Sequence, residues 1–292
     1  MEQITVCLTV DVDSVASWLA MYHGSTSVGD ISRGIFSVRV GLPRILRLFE
    51  EQGVKATWFF PGHTAESFPE EVKRVLENGH EVCPHGYSHE NPAMLDEKKE
   101  RKVVERATRV IQKISGKKPM GYRTPWWEHS KNTIKILLEL GYVYDSSLME
   151  EEFHPYFLRI GDEWAEVDYS KDPDEWMKPF VFGKPSKLLE IPPSWYLEDL
   201  TPQLFARHLL PGYGWVSADV VYTLWKEHFD YLVEKEGSGV LTITIHPEAS
   251  GRPQGLKRLE EFLNYVKRNT SAKFSTLKEV ALEFSKNAKF PD

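Results

Sequence analysis

The sequence predicts an α/β fold whose parallel strands close into a barrel. Strand-like and helix-like segments alternate about seven times along the 292 residues, which is typical of a parallel sheet with right-handed helical connections. Polar side chains follow several predicted strands, as they do at the active-site face of α/β barrels. An open nucleotide-binding sheet is the less favoured alternative, because no glycine-rich loop follows the first strand. We expect residues 1–292 to form a single domain with elaborated loops.

The apolar runs that predict strands begin at residues 4–10, directly before Asp11, and are clearest at residues 239–245. The other predicted strands lie at residues 55–60, 80–83, 120–123, 142–147, 188–191 and 273–275. Residues 14–40 and 148–187 show no regular period. We therefore expect structured loops there, the first of them over the site.

Helical periodicity predicts the connections between these strands. Leu42, Ile45, Leu46 and Phe49 recur at helical spacing, and Gly53 ends their helix. The other predicted helices span residues 69–79, 96–115, 130–141, 217–236 and 255–268, and a last one begins at Thr276.

The composition indicates a globular protein and excludes several classes of function. A net charge of −7 argues against nucleic-acid binding as the main task. The first residues carry no export signal, and no apolar stretch approaches the roughly 20 residues of a membrane span. Cys7 and Cys83 lie in predicted strands as free thiols, so we expect a cytoplasmic protein with no membrane partner.

The side chains best suited to catalysis or ligand binding each follow a predicted strand. They are Asp11, Asp13, His85, His89, Arg123, Asp145, Trp195 and His246. In a parallel barrel the carboxyl ends of the strands meet on one face. We therefore expect these residues to converge, although they are spread from position 11 to position 246.

The spacing of His85 and His89 indicates half of a metal site. Imidazoles four residues apart face the same way on one helical turn, and His is a common metal ligand at neutral pH. A third ligand has to come from elsewhere in the chain. Either Asp11 or Asp13 can supply it, while the other carboxylate accepts a proton.

Two further residues complete a hydrolytic set. Arg123 can hold a carboxylate ionised and oriented, and His246 can return a proton to a leaving nitrogen. Three protein ligands leave a coordination position for water, whose pKa a metal lowers toward about 7. The set predicts metal-assisted hydrolysis of a non-peptide C–N bond.

Other functions need only part of this set. Two His and one Asp can hold Fe(II) in an oxygenase, but the second Asp and His246 would then have no purpose. A carbohydrate-binding module without catalysis would tolerate the loss of Asp11. Tryptophans such as Trp126 and Trp195 pack in cores or interfaces more often than they line a substrate groove.

The ordered motifs resemble those of the polysaccharide deacetylases, carbohydrate esterase family 4. The matching runs are Thr9-Val-Asp11-Val-Asp13, His85-Gly-Tyr-Ser-His89, Arg123-Thr-Pro-Trp-Trp127 and Leu241-Thr-Ile-Thr-Ile-His246. The family's first motif has adjacent Asp residues, whereas Val12 separates them here. The resemblance implies a distorted (β/α)7 barrel with Zn²⁺ or another divalent transition metal. It assigns the metal to Asp13, His85 and His89, the base to Asp11 and the acid to His246.

Residues 30–34, 86–92 and 191–196 are similar to a branch of that family that includes a peptidoglycan deacetylase, allantoinase-like enzymes and cyclic-imide hydrolases. We expect N-deacetylation of a glycan such as peptidoglycan, with a small cyclic imide or ureide as the alternative substrate. Trp126, Trp195 and Asp145 are assigned to substrate binding. The resemblance also implies a homo-oligomer, a tetramer.

Overall fold

The structure, a computed structural model, describes residues 3–21, 26–204 and 216–287. Its strands are β1 (Ile4–Asp11), β2 (Thr57–Phe60), β3 (Glu81–Pro84), β4 (Gly121–Tyr122), β5 (Tyr144–Asp145), β6 (Tyr156–Ile160), β7 (Lys184–Glu190), β8 (Gly239–Ile245) and β9 (Ala272–Phe274). Its helices are α1 (Val15–Ala20), α2 (Val28–Phe36), α3 (Leu42–Glu51), α4 (Gly62–Ser67), α5 (Pro69–Glu77), α6 (Glu97–Ser115), α7 (Thr133–Glu139), α8 (Leu200–Gln203), α9 (Ala218–Tyr231), α10 (Pro253–Lys267) and α11 (Leu277–Asn287). Within these ranges, no helix is both long enough and apolar enough to cross a membrane.

Parallel strands form a distorted (β/α)7 barrel in two hydrogen-bonded sheets. The first sheet has the order β3-β2-β1-β8, with β9 also paired to β1. The second contains β4, β5 and β7 in parallel, and β6 lies antiparallel beside β7. The amide of Arg123 donates to the carbonyl of Pro84 over 3.4 Å, which joins β4 to β3. A parallel bridge between Glu198 and Thr244 connects the segment after β7 to β8. The predicted α/β barrel is confirmed.

Strand β1 is the centre of the first sheet and is buried along its whole length. Its side chains alternate between two clusters because successive residues of a strand point to opposite faces. Leu8 and Val10 pack outward with Trp58 and residues of α3, α9 and α10. Cys7 packs inward with Cys83, and both are free buried thiols, as predicted.

The structure differs from the sequence prediction in the two long segments. Residues 14–40 contain α1, α2 and a π-helical turn at Ser37–Gly41, so the prediction of a loop there was wrong. Residues 148–187 contain β6 and half of β7, which form an unpredicted hairpin. Gly34 lies in the segment without a regular period, and a Cβ there would lie 2.9 Å from the backbone of Val15. Because glycine has no Cβ, α2 packs directly on α1.

A second close approach places the π-helical turn beneath the site. A side chain on Gly41 would collide with the carbonyl of Pro247, and one on Gly251 would collide with Gly41. The turn therefore rests directly on the residue that follows His246. This packing fixes the exit of β8, where one of the predicted catalytic residues lies.

Candidate active site

The carboxyl ends of the barrel strands bring the predicted residues together. Asp11 ends β1, Asp13 lies two residues beyond it, and the others follow β3, β4 and β8. The six residues that share this position, all of them buried, are Asp11, Asp13, His85, His89, Arg123 and His246. The predicted convergence on one face is therefore observed, and it follows from parallel strand order.

Asp13, His85 and His89 form a compact group that could hold a metal ion. Nε2 of His85 lies 3.6 Å from Oδ1 of Asp13, and Nε2 of His89 lies 3.3 Å from Oδ2. The ligand atoms of the three residues all lie within 4.8 Å of one another. Oδ1 of Asp13 is buried and has no hydrogen-bond partner in the described part of the chain. Two imidazoles and one carboxylate are the donor set of many zinc sites, so these residues fit the implied metal.

Protonation at this group suits metal binding. Nδ1 of His85 donates to the carbonyl of Arg123 over 3.0 Å, which directs the lone pair of Nε2 toward Asp13. Burial lowers the pKa of His85 and favours the neutral ring. Burial alone would raise the pKa of Asp13, but the imidazoles of His89, His246 and His85 outweigh it and hold that pKa below its usual range.

The turn after β3 has a specific local structure that positions His89. Gly86 has a φ of +61°, and a Cβ there would collide with the carboxylate of Glu90. That carboxylate accepts hydrogen bonds from the amides of Tyr87 and Ser88, at 3.1 and 2.7 Å. His89 itself has a φ of 60°. The turn therefore replaces the predicted helical turn with a tighter loop, which still brings both imidazoles to one side.

Arg123 and Asp11 form a fully buried ion pair. Nη1 of Arg123 donates to Oδ1 of Asp11 over 2.8 Å and to the hydroxyl of Thr9 over 2.9 Å. Nε and Nη2 donate to the carbonyl and the hydroxyl of Ser146, each over 2.7 Å. The guanidinium carbon lies 4.3 Å from the ring centre of Phe59. Arg123 is thereby fixed on several sides, and it fixes the Asp11 carboxylate in turn.

His246 is oriented by Asp199, a residue that sequence reasoning missed. Nδ1 of His246 lies 2.9 Å from Oδ1 of Asp199, which also accepts the backbone amide of His246. Nε2 points toward the metal group, 3.9 Å from Oδ2 of Asp13. Burial lowers the pKa of His246, but the hydrogen bond that its ring donates to Asp199 and the nearby carboxylates raise it well above its usual value. The ring is therefore held as a proton donor.

Two further buried acids surround this pair and were also missed. Burial raises the pKa of Glu198 and of Glu248 to about 7 in each case. Glu198 accepts the amides of Leu200 and Thr201 at the start of α8. Glu248 accepts the amide of Ser14 over 3.1 Å and so ties the exit of β8 to the exit of β1. The sequence signal for Glu198 was the acidic dipeptide that it forms with Asp199 after β7, and the signal for Glu248 was its position two residues after His246.

The predicted substrate residues occupy different environments. Trp126 is 36% exposed and donates from Nε1 to the carbonyl of His89 over 3.3 Å. Trp195 is 48% exposed, and its ring centre lies 4.6 Å from that of Trp127. Asp145 has no exposed surface, and its Oδ2 lies 3.0 Å from Nε2 of His129. The two tryptophans have surface available to a ligand, whereas the buried side chain of Asp145 has none.

A barrel with these buried carboxylates and imidazoles at one face fits a hydrolase of amide bonds, and comparison with known proteins agrees. The family model described as Polysaccharide deacetylase matches residues 34–144. A peptidoglycan deacetylase of Helicobacter pylori is 42% identical over 98% of this chain and 97% of its own length. The chain belongs to the polysaccharide deacetylase family, as the motifs implied.

Solved structures show the same fold. One from Mycobacterium smegmatis, described as a polysaccharide deacetylase, has a TM-score of 0.83 at 29% identity and covers 100% of this chain and 95% of that chain. An allantoinase structure has a TM-score of 0.78 at 21% identity and covers 99% and 92% of the two chains. At that identity the second likeness concerns the fold alone.

The geometry predicts that Asp13 and Asp11 differ in their effect on metal binding. Asp13→Asn removes the charge of a ligand that contacts both imidazoles, so zinc affinity is expected to fall by about 100-fold or more. Asp11→Asn changes a carboxylate that Arg123 holds aside, and zinc affinity is expected to stay within about threefold. Competition with a chromophoric chelator on metal-stripped protein measures both. If Asp13→Asn kept its zinc and Asp11→Asn lost it, Asp11 would be the metal ligand and Asp13 the base.

Proposed function

We propose that this protein removes the acetyl group from an N-acetylated glycan, with peptidoglycan as the substrate. The observation that carries the proposal is a pair of oriented side chains near the metal group: His246, held by Asp199 with its Nε2 3.9 Å from Asp13, and Asp11, held by Arg123 two residues before Asp13. We assign proton transfer to both. Amide hydrolysis needs a base for water and an acid for the leaving nitrogen. The similarity to a peptidoglycan deacetylase along almost the whole chain favours this substrate over other amides.

In this proposal Asp13, His85 and His89 hold Zn²⁺ or another divalent transition metal. When bound, the metal polarises the acetyl carbonyl and lowers the pKa of a water ligand. Asp11 accepts the proton of the attacking water, and the ion pair with Arg123 keeps that carboxylate ionised and directed. The buried setting strengthens each of these interactions, because little water screens them.

His246 completes the reaction as the proton donor. The water oxygen forms a bond to the acetyl carbon, and the C–N bond then breaks. The amine nitrogen takes a proton from Nε2 of His246 as it leaves, so the products are acetate and the free amino sugar. Asp199 holds Nδ1 of the ring and thereby keeps Nε2 aimed at the site.

Trp126 and Trp195 are proposed to line the substrate position. Their exposed aromatic surfaces suit the apolar faces of a sugar ring, and Trp126 contacts the loop that carries His89. Asp145 is proposed to act indirectly, since its carboxylate is buried beside His129. Its backbone precedes Ser146, whose carbonyl and hydroxyl hold Arg123.

The proposed function is tested by comparing two sets of substrates with the zinc-loaded protein. We expect acetate release from peptidoglycan fragments and acetylated chito-oligosaccharides, and no ring opening of succinimide, dihydrouracil or allantoin. Asp11→Asn serves as the control, because it is expected to keep its zinc and lose turnover. Ring opening without acetate release would replace the glycan with a cyclic imide or ureide as the substrate class.

A second prediction concerns Asp199 as a positioning residue. Asp199→Asn weakens the hold on the His246 ring, so kcat is expected to fall about 100-fold while KM and zinc content stay within about twofold. Acetate-release kinetics and metal analysis measure these quantities. Asp174→Asn, at an exposed aspartate, is the matched control. An equal loss of kcat, zinc and thermal stability would indicate a structural role for Asp199 instead.

We also propose that the protein is a homo-oligomer, as the resemblance implies. The segment between β6 and β7 exposes Trp164, Tyr169, Phe180 and Phe182, which is an unusual density of aromatic surface. Sedimentation velocity is expected to give a tetramer, and Phe182→Ser is expected to shift it toward smaller species. A monomeric wild-type protein would contradict this proposal. The cytoplasmic location and the single domain of residues 1–292 stay predictions from the sequence.

A further inference from the structure

A large cavity of about 1060 Å³ lies on the barrel face that carries the metal group, because α2 follows β1 and α10 follows β8, and its lining includes none of the three proposed ligands. It is bounded by the first turns of α2, α9 and α10. Its volume reaches the upper end of pockets that enclose a drug-sized ligand, so it can hold more than an acetamido group. The lining residues that matter here are Arg33, Ser217, Arg252, Lys257 and Arg258.

A smaller cavity of about 50 Å³ adjoins this space and is lined in part by the segment that follows β8. The two cavities share the lining residues Arg33, Gln203, Arg252 and Gln254. The smaller one also reaches Glu248, whose Oε1 accepts the amide next to Asp13. Glu248 thus contacts both the segment that carries Asp13 and the smaller cavity.

The outer part of the larger cavity favours a negative group. Arg252 contributes a guanidinium that also donates to the carbonyl of Glu248 over 2.9 Å and lies 4.3 Å from the ring centre of Phe36. Lys257 is exposed and forms no ion pair within the described part of the chain. The positive ends of α2, α9 and α10 face the same space and add to its potential. Asp30 and Asp219 also line it, but each is paired with an arginine.

The inner end of the connection favours a hydrogen-bond donor. Glu248 is 7% exposed, and its Oε2 lacks a hydrogen bond of ordinary geometry in the described residues. The Ser37 hydroxyl also interacts with this carboxylate, and because a carboxylate accepts several hydrogen bonds, a hydroxyl or amide of a ligand would add a favourable contact. The two ends together fit a ligand with a donor close to the reacting bond and a carboxylate farther out.

We infer that this cavity binds the carboxylate-bearing substituent of the substrate sugar, such as the peptide attached to a peptidoglycan saccharide. The inference rests on the proposed function and specifies the substrate class further. With the acetamide at the metal group, a hydroxyl or amide of the substrate donates to Glu248. The carboxylate then lies near Lys257 and Arg252. Unsubstituted acetylated oligosaccharides lack such a group and leave this part of the site unused.

The test uses one pair of substrates that differ only in charge. They are a peptidoglycan disaccharide with a peptide whose carboxylates are free, and the same compound with those carboxylates amidated. The measured quantity is the ratio of kcat/KM for the free form to that for the amidated form, from acetate release. We expect a ratio of about five or more for the wild-type protein, the value of one solvent-exposed charge pair at roughly 1 kcal/mol.

Lys257→Glu is the diagnostic variant because it reverses the charge at an exposed position in the first turns of α10, where Glu is compatible with the helix. Its ratio is expected to fall to about one or below. Lys98→Glu, at an exposed position in the first turn of α6, is the matched control and is expected to keep the wild-type ratio.

The outcomes separate the inference from the proposed function. Acetate release from both substrates at equal efficiency, or a ratio that survives in Lys257→Glu, overturns the inference and leaves deacetylation in place. A ratio lost equally in Lys98→Glu also overturns it, since a general charge effect would then explain the preference. No acetate release from either substrate or from acetylated chito-oligosaccharides overturns the proposed function itself, and the inference with it.

Discussion

The buried ion pair between Arg123 and Asp11 is the interaction on which the rest of the site depends. Arg123 has no exposed surface, so the loss of its partner would leave an uncompensated charge, which costs about 3–5 kcal/mol. Its other donors reach side chains of β1 and β8 and the segment after β5, so one guanidinium connects both sheets. Its carbonyl accepts from His85, so the orientation of a metal ligand depends on the same residue. Catalytic geometry and barrel closure therefore share one set of contacts.

The site is also where the backbone is most strained. In the described part of the chain, the non-glycine residues with positive φ are Ser14, His89, Trp126 and Trp127, and all of them lie in the segments that follow β1, β3 and β4, where the site residues are. Such conformations cost on the order of 1–3 kcal/mol each and persist only where the surroundings enforce them. Glu248 holds the amide of Ser14, and Glu90 holds the turn before His89. Acidic side chains thus fix the strained loops that carry the proposed ligands. The strain in these loops lowers the free energy of unfolding, but it keeps the site in its geometry.

The sequence predicted the part of the site that depends on strand order. Asp11, Arg123 and His246 each follow a strand, and parallel topology alone places them on one face. It did not predict Asp199, because that residue lies in an irregular segment 47 positions before His246 and ends no strand. The π-helical turn and the helices before it were missed because a glycine needed for close packing looks the same in sequence as one that marks a loop. Strand β6 was missed because it lies at a sheet edge, mostly half-exposed, and its single buried residue, Leu158, is too little to impose a period.

Charge balance explains why a cation belongs in this site and why a substrate carboxylate would be placed away from it. Asp11 is paired with Arg123 and Asp199 with His246, so these charges offset each other. Asp13 contacts the imidazoles of His85 and His89, and the nearby His246 is already paired with Asp199, so a divalent cation would balance the charge of Asp13. A carboxylate on the substrate would compete with the acetyl oxygen for that cation. The proposed role of the basic cavity removes this competition, because it gives the carboxylate a different partner while the acetamide occupies the metal group.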